Sequence, residues 1–212
     1  MTPLALMQTA PVIPVLAFDS TEQAIEQSKA LVAGGLTVLE ITLRTDCAIE
    51  CIKAVAAEVE GAIVGAGTVL NAQDLERVVE AGAQFAVSPG ATDSLWRANE
   101  QSPIPLLAGV ANVSDIMRGM EYGNTEFKFF PAEINGGAAA LKSLGGPLKG
   151  VSFCPTGGVK PGNLADYLAL DNVVCVGGTW LTPNDVDPMQ VEFYAREALK
   201  LAKEAGWTSD SS

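Results

Sequence analysis

Short apolar runs alternate with amphipathic segments along nearly the whole chain. The apolar runs lie at 12–18, 37–43, 62–69, 84–90, 105–110, 126–132, 151–157 and 173–180. Their starts recur every ~20–27 residues, which is the length of one strand and one crossover helix. The pattern therefore predicts eight strands, each followed by a helix.

Glycines and capping residues mark the ends of several predicted helices. Glycine follows the amphipathic segment as a C-terminal cap at Gly34–Gly35, Gly82 and Gly123. Residues with short polar side chains precede other segments and are expected to cap their first turns. These N-cap candidates are Ser20 or Thr21, Asn71, and Asn112 or Ser114.

Eight such units in 212 residues favour a (β/α)8 TIM barrel, an α/β fold with a single domain over residues 1–212. A doubly wound sheet is the alternative, and the number of strands argues against it. Residues 1–11 form a short N-terminal segment before the first unit. We expect the tail at 206–212 to be frayed.

The second predicted strand carries charged side chains on one face. Its apolar positions alternate and suit the surrounding helices, whereas Glu40, Thr42 and Arg44 fall together on the face that points into the barrel. Charged groups inside a barrel are costly unless they pair or do chemistry. Glu40 and Arg44 are therefore candidates for a site, with a structural ion pair as the alternative.

The same alternation applies to the strand at 126–132. Lys128 and Phe130 share the inward face, while the two phenylalanines on either side of Lys128 face the helices. Burial and a nearby cation both favour the neutral form of an amine, and a neutral amine can attack a carbonyl. Lys128 is thus a candidate Schiff-base nucleophile. The alternative is a structural lysine paired with Glu40 or Glu133.

Paired glycines follow the last two predicted strands. Gly157 and Gly158 come after the seventh strand, and Gly178 lies at the end of the eighth, with Thr156 and Thr179 beside them. The loops after strands 7 and 8 of such barrels commonly bind phosphate, and glycine lets the backbone approach an anion closely. A phosphate site is expected here, although plain turns would also use glycine.

Two weaker signals lie at the ends of strands 3 and 4. Thr68 follows Val64 and Ala66 on one face and is expected to hydrogen-bond a substrate carboxylate beside Arg44. Pro89 is expected to shape the mouth of the barrel. Both are supporting positions.

Composition removes several functional classes. The net charge of −12 and the absence of a local basic cluster argue against a nucleic-acid partner. The N-terminus is a poor signal peptide, and no apolar run reaches the 18 residues typical of a membrane span. Free thiols in a reducing cytoplasm are expected for the four cysteines (Cys47, Cys51, Cys154 and Cys175), whose spacing matches no zinc pattern.

The chain contains no histidine. Nucleophiles that are activated by histidine, histidine general bases and the usual histidine metal sites are therefore excluded. Acid–base chemistry must come from Glu, Asp, Lys, Tyr or Cys.

Six motifs resemble the bacterial 2-keto-3-deoxy-6-phosphogluconate (KDPG) and 4-hydroxy-2-oxoglutarate (KHG) aldolases, which are class I aldolases. The resemblance covers about residues 10–205. The motifs, in chain order, are "VLEITLRT", "IVGAGTVL", "AQFAVSPG", "EFKFFPAE", "FCPTGGV" and "VGGTWL". It implies cleavage of KDPG to pyruvate and glyceraldehyde 3-phosphate, a step of the Entner–Doudoroff pathway, and also cleavage of KHG to pyruvate and glyoxylate.

The resemblance also implies a role for each matching residue. Lys128 corresponds to the Schiff-base lysine and Glu40 to the general acid–base carboxylate. Arg44 and Thr68 correspond to residues that hold the pyruvyl carboxylate, and Phe130 and Pro89 to residues that line the pocket. The residues that correspond to the phosphate site are Thr156, Gly157, Gly158, Gly178 and Thr179. Many relatives have serine where this chain has Thr179.

The implied partners are a small 2-keto acid and a phosphorylated aldehyde, and the implied assembly is a homotrimer that needs no metal or other cofactor. Three alternatives stay open. They are an aldolase that prefers the galactonate epimer, a phosphate-binding isomerase or synthase, and a barrel that binds without catalysis.

Overall fold

The computed structural model describes residues 1–208 and contains a barrel of parallel strands with helices around it. The strands are β1 Val12–Leu16, β2 Val38–Thr42, β3 Ile63–Gly67, β4 Phe85–Val87, β5 Leu106–Leu107, β6 Gly109–Val110, β7 Glu126–Phe129, β8 Ser152–Pro155 and β9 Val176–Gly178. The helices are α1 Pro3–Thr9, α2 Thr21–Ala33, α3 Ala48–Glu58, α4 Ala72–Glu80, α5 Asp93–Gln101, α6 Val113–Glu121, α7 Gly137–Leu144, α8 Leu164–Leu168 and α9 Pro188–Glu204.

The strands pair in the order that a closed barrel requires. One sheet has the order β5-β4-β3-β2-β1-β9, and a second has the order β6-β7-β8. Only Ala108 separates β5 from β6, and parallel bridges from Phe153 to Val173 and from Thr156 to Gly177 join β8 to the chain at β9. The prediction of a (β/α)8 barrel is confirmed.

The fifth predicted strand, at 105–110, is interrupted at Ala108. Gly109 lies so close to the backbone of Pro89 that a Cβ atom there would overlap it, so this approach requires glycine. The other strands also end before the apolar runs do. The run at 126–132, for instance, leaves the ladder after Phe129.

The predicted caps lie where the sequence placed them. The side chains of Ser20, Asn71 and Asn112 accept hydrogen bonds from the first turns of α2, α4 and α6. Gly35, Gly82 and Gly123 follow the same three helices with φ between +76° and +96°. Such left-handed backbone favours glycine, which has no Cβ to clash.

The buried apolar residues form two groups. The larger group fills the layer between strands and helices. The smaller group fills the base of the barrel and includes Ile13, Val38, Cys154 and Cys175. Because side chains alternate along a strand, the residues two positions later face the same interior one layer higher, and these are Val15, Glu40, Thr156 and Gly177.

The N-terminal segment contains α1, which packs under the barrel. Leu6 and Met7 are 1% and 0% exposed and belong to the inner apolar group. At the other end of the chain, Gly206 and Trp207 are hydrogen-bonded to the last turn of α9 through Lys203 and Ala202. Residues 209–212 of the tail predicted to fray lie outside the described residues.

All four cysteines are free, as expected. Cys47 and Cys51 lie close, with their Sγ atoms 3.7 Å apart. Within residues 1–208, no helix is long and apolar enough to cross a membrane.

The packing of α1 generates a stability prediction. Replacing the buried Leu6 with alanine should lower the free energy of unfolding by about 2–5 kcal/mol, because it removes apolar contacts and leaves a cavity. The matched variant Leu4→Ala changes a residue of the same helix that is 36% exposed, and it should cost less than about 0.5 kcal/mol. Urea unfolding followed by circular dichroism measures both. Equal costs would contradict the role of α1 in closing the base.

Candidate active site

A cavity of about 260 Å³ opens where the C-terminal ends of the strands meet. All of the residues predicted for the site line it, and they are Glu40, Arg44, Thr68, Pro89, Lys128, Phe130, Thr156, Gly157, Gly158, Gly178 and Thr179. The sequence had not proposed four other lining residues, Val15, Thr42, Val159 and Gly177, as site residues. The structure thus brings together groups that come from most of the barrel strands.

The centre of the cavity is an ion pair between Lys128 and Glu40. The Lys128 Nζ atom donates a hydrogen bond to Glu40 Oε1 over 3.0 Å, and the two side chains are only 7% and 4% exposed. The Phe130 ring lies beside the ammonium, with 5.3 Å from Nζ to the ring centroid. In the described part of the chain Glu40 is the only carboxylate within salt-bridge distance of Lys128.

The contacts show which of the expected ion pairs form. Glu40 pairs with Lys128 and not with Arg44. Glu133, the other possible partner of Lys128, accepts a hydrogen bond from Tyr167 instead. The inward position of Lys128 follows the strand alternation, since Phe127 and Phe129 are buried in the layer against the helices.

Space for the Glu40 carboxylate comes from a glycine on the neighbouring strand. Gly67 lies beside Thr42 in the ladder between β2 and β3. A Cβ atom built on Gly67 would overlap Glu40 Oε1. The missing side chain therefore determines where the carboxylate can lie.

Arg44 lies at the mouth of the cavity and not inside the barrel as predicted. β2 ends at Thr42, so the alternation no longer controls the direction of Arg44, and the side chain is exposed. Its Nε atom donates to Thr42 Oγ1 over 2.9 Å, and Thr42 Oγ1 in turn donates to the Leu16 carbonyl over 2.7 Å. Thr42 therefore orients the guanidinium. The sequence pattern could have indicated this role, because it places Thr42 on the same strand face as Glu40.

Within residues 1–208, Arg44 forms no salt bridge, and its terminal amino groups are free to bind an anion. Lys128 and Arg44 against Glu40 give the lining of the cavity one net positive charge, although the whole chain carries −12. An anionic substrate suits such a lining.

Thr68 reaches the cavity by a different route from the predicted one. Val64 and Ala66, with which it was expected to share a face, lie in the layer against the helices. Thr68 instead has a left-handed backbone with φ of +61°, which turns its side chain into the cavity. Non-glycine residues rarely adopt this conformation, and those that do cluster at functional sites.

The opposite end of the cavity is built from glycines. Gly157 and Gly158 have φ of +98° and +82°. A Cβ atom on Gly177 would overlap Thr156 Oγ1, and one on Gly178 would overlap the Trp180 ring. These glycines line the cavity, and backbone N–H groups in such a loop can bind an oxyanion.

Among residues 1–208, no group of three or more acidic or cysteine side chains is placed to hold a metal ion. The sequence also lacks histidine, the commonest zinc ligand besides cysteine. The chemistry that the described side chains offer is that of a buried amine, a carboxylate and an anion-binding arginine.

The chain is similar over nearly its full length to known aldolases. It is 54% identical to the KHG/KDPG aldolase of Escherichia coli K12 over 203 residues, which cover 94% of this chain and 95% of that protein. The crystal structure of the 2-keto-3-deoxy-6-phosphogluconate aldolase of Zymomonas mobilis ZM4 with 3-phosphoglycerate has 47% identity and a TM-score of 0.91, covering 94% and 95% of the two chains.

A second crystal structure shows pyruvate captured as a covalent carbinolamine intermediate in the KDPG aldolase of Legionella pneumophila. It matches with 41% identity and a TM-score of 0.91, covering 94% of this chain and 98% of that one. The sequence profile of the family described as "Aldolase: KDPG and KHG aldolase" matches residues 4–194. With fold, sequence and pocket in agreement, the chain belongs to the KDPG and KHG aldolase family.

Proposed function

We propose that this protein is a class I aldolase that cleaves KDPG to pyruvate and glyceraldehyde 3-phosphate, with Lys128 as the Schiff-base residue. The observation that carries the proposal is the buried contact of 3.0 Å between Lys128 Nζ and Glu40 Oε1. It brings an amine and a proton acceptor together where both side chains are buried. The carbinolamine of pyruvate in the Legionella pneumophila relative supports the same chemistry.

The first half of the reaction forms the imine. One proton passes from Lys128 Nζ to Glu40, and the neutral amine attacks the C2 carbonyl of the 2-keto acid. Glu40 returns the proton to the new hydroxyl group, which leaves as water from the carbinolamine. The product is an iminium whose positive charge lies next to the C3 carbon.

The second half breaks the carbon–carbon bond. The Glu40 carboxylate takes the proton of the C4 hydroxyl, directly or across one bridging water, while the C3–C4 electron pair moves toward the iminium. The aldehyde leaves and an enamine of pyruvate remains on Lys128. Glu40 then protonates C3, and hydrolysis of the imine releases pyruvate and restores the amine.

The two ends of the cavity suit the two ends of this substrate. Arg44, oriented by Thr42, is placed to bind the pyruvyl carboxylate together with the Thr68 hydroxyl. The glycines after β8 and in β9, with Thr156 and Thr179, are placed to bind the phosphate. Phe130 and Pro89 line the cavity between these ends.

The homotrimer and the cytoplasmic location implied by the resemblance stay predictions, as does the single-domain organisation over residues 1–212. One feature supports assembly. Val113, Met117 and Met120 lie along one side of α6 and are 42%, 55% and 41% exposed. An apolar stripe of this kind on a surface helix is typical of an interface.

The role of Lys128 predicts covalent trapping. Incubation with pyruvate and borohydride should attach one reduced pyruvate imine to Lys128, and peptide mass spectrometry locates it. The Lys128→Met variant should remain unlabelled and lose cleavage by several orders of magnitude. Circular dichroism checks that the variant folds, because leaving the buried Glu40 unpaired should lower the free energy of unfolding by about 3–5 kcal/mol. The control Lys142→Met, at an exposed lysine, should label normally. An unlabelled wild-type protein would favour an isomerase, a synthase or a non-catalytic barrel.

The placement of Glu40 predicts sensitivity to a single methyl group. Gly67→Ala should displace the Glu40 carboxylate and lower kcat by about 10²-fold, since a misplacement near 1 Å costs that much. Gly146→Ala adds the same methyl where the nearest atom, the Ser143 carbonyl oxygen, would lie at an ordinary 3.6 Å, and it should leave kcat unchanged. Steady-state kinetics measures both. An unchanged kcat in Gly67→Ala would refute the positioning of the Glu40 carboxylate by Gly67.

The substrate assignment predicts an order of preference. kcat/KM should be highest for KDPG, lower for its galactonate epimer and lower again for KHG, which has no phosphate. Discrimination between epimers is expected to be worth about 1–3 kcal/mol. Coupled assays of pyruvate release measure all three values. Equal or faster turnover of KHG would count against a phosphate site at the glycine end.

A further inference from the structure

Glu133 and Tyr167 meet behind the glycine loop and have no role in the mechanism above. Tyr167 belongs to α8 and is 1% exposed, whereas Glu133 follows β7 and is exposed. The Tyr167 hydroxyl donates a hydrogen bond to Glu133 Oε1. Burial raises the pKa of Tyr167, and the neighbouring Glu133 raises it further, so the phenol remains a donor.

The backbone of Glu133 is tied to the same loop. Beyond the ends of β7 and β8, the Ala132 amide donates to the Thr156 carbonyl over 2.8 Å, and the Glu133 amide donates to the Gly157 carbonyl over 3.1 Å. The strand that carries Lys128 is thereby connected directly to the loop that is placed to bind phosphate. This connection fixes one side of the loop.

The side chain of Glu133 also packs against the loop. A Cβ atom on Gly158 would overlap Cβ and Cγ of Glu133. A Cβ atom on Gly137, at the start of α7, would lie 3.1 Å from Glu133 Oε1 and 3.3 Å from the Tyr167 hydroxyl. Two glycines therefore provide the space in which the pair of side chains fits.

Side-chain contacts hold the loop from two directions. On its far side, Asn163 Nδ2 donates to the Gly158 carbonyl over 3.2 Å and Asn163 Oδ1 accepts from the Lys160 amide over 2.8 Å. On its near side, the Glu133 side chain supports Gly158, and Tyr167 determines where that side chain points. Loss of the Tyr167 hydroxyl would release the near side alone.

We propose that the Tyr167–Glu133 pair is a positioning device that holds the Gly157–Gly158 loop in its phosphate-binding conformation and so determines affinity for the phosphorylated end of the substrate. The proposal rests on the assignment of a phosphate site in the proposed function. It makes Tyr167 and Glu133 specificity-determining residues that touch neither the 2-keto acid nor Lys128.

The test separates the two ends of the substrate. Tyr167→Phe and Glu133→Ala should each raise KM for KDPG by about five- to tenfold, the worth of one lost hydrogen bond. The kcat for KDPG and both constants for KHG should change by less than about twofold, since KHG has no phosphate to place. Glu133→Gln keeps an oxygen acceptor for Tyr167 and should restore the wild-type KM. Tyr194→Phe, on α9, is the matched control and should change nothing.

Titration with inorganic phosphate gives a second readout that does not need catalysis. Phosphate should bind the wild-type protein. Tyr167→Phe and Glu133→Ala should raise the dissociation constant for phosphate by the same factor by which they raise KM for KDPG. Equal losses for KDPG and KHG, a lower melting temperature with unchanged KM, or tighter phosphate binding in Glu133→Ala would each overturn the proposal. Wild-type protein that does not bind phosphate would overturn it together with the phosphate site, while pyruvate trapping at Lys128 tests the aldolase chemistry separately.

Discussion

The ion pair between Lys128 and Glu40 is the interaction around which the rest of the structure is arranged. It joins β7 to β2, which are not neighbours in either sheet, so it spans the interior of the barrel. Removing each ion from water costs several kcal/mol, and the pair offsets this cost only with a short contact and good geometry. The closed ring of strands supplies that geometry, because neither strand can move without its neighbours.

Absent side chains are as important to the site as those that are present. Gly67 leaves room for the Glu40 carboxylate, and Gly177 leaves room for Thr156. Gly109 lets the interrupted fifth strand approach the backbone of Pro89, which lines the cavity. A barrel interior of native density would otherwise be filled with side chains. These glycines therefore determine where the groups that line the cavity can lie.

The sequence predicted the parts of the site that depend on regular geometry. The period of two in β2 and β7 was sufficient to place Glu40 and Lys128 in the interior, and the spacing of apolar runs was sufficient for the barrel. It could not place residues beyond the ladder. Arg44 lies past the end of β2, and the left-handed backbone of Thr68 reverses the face on which its side chain lies. Contacts between distant segments, such as that of Tyr167 with Glu133, have no local signal in the sequence at all.

The packing of α1 closes the end of the barrel that lies opposite the mouth of the cavity. Leu6 and Met7 help to fill the base, and Arg44 and Pro89 line the cavity at the other end of the barrel. In the proposed mechanism, the fragment bonded to Lys128 lies deeper than the free aldehyde. Departure is then sequential, with the free aldehyde first and the covalently held fragment last.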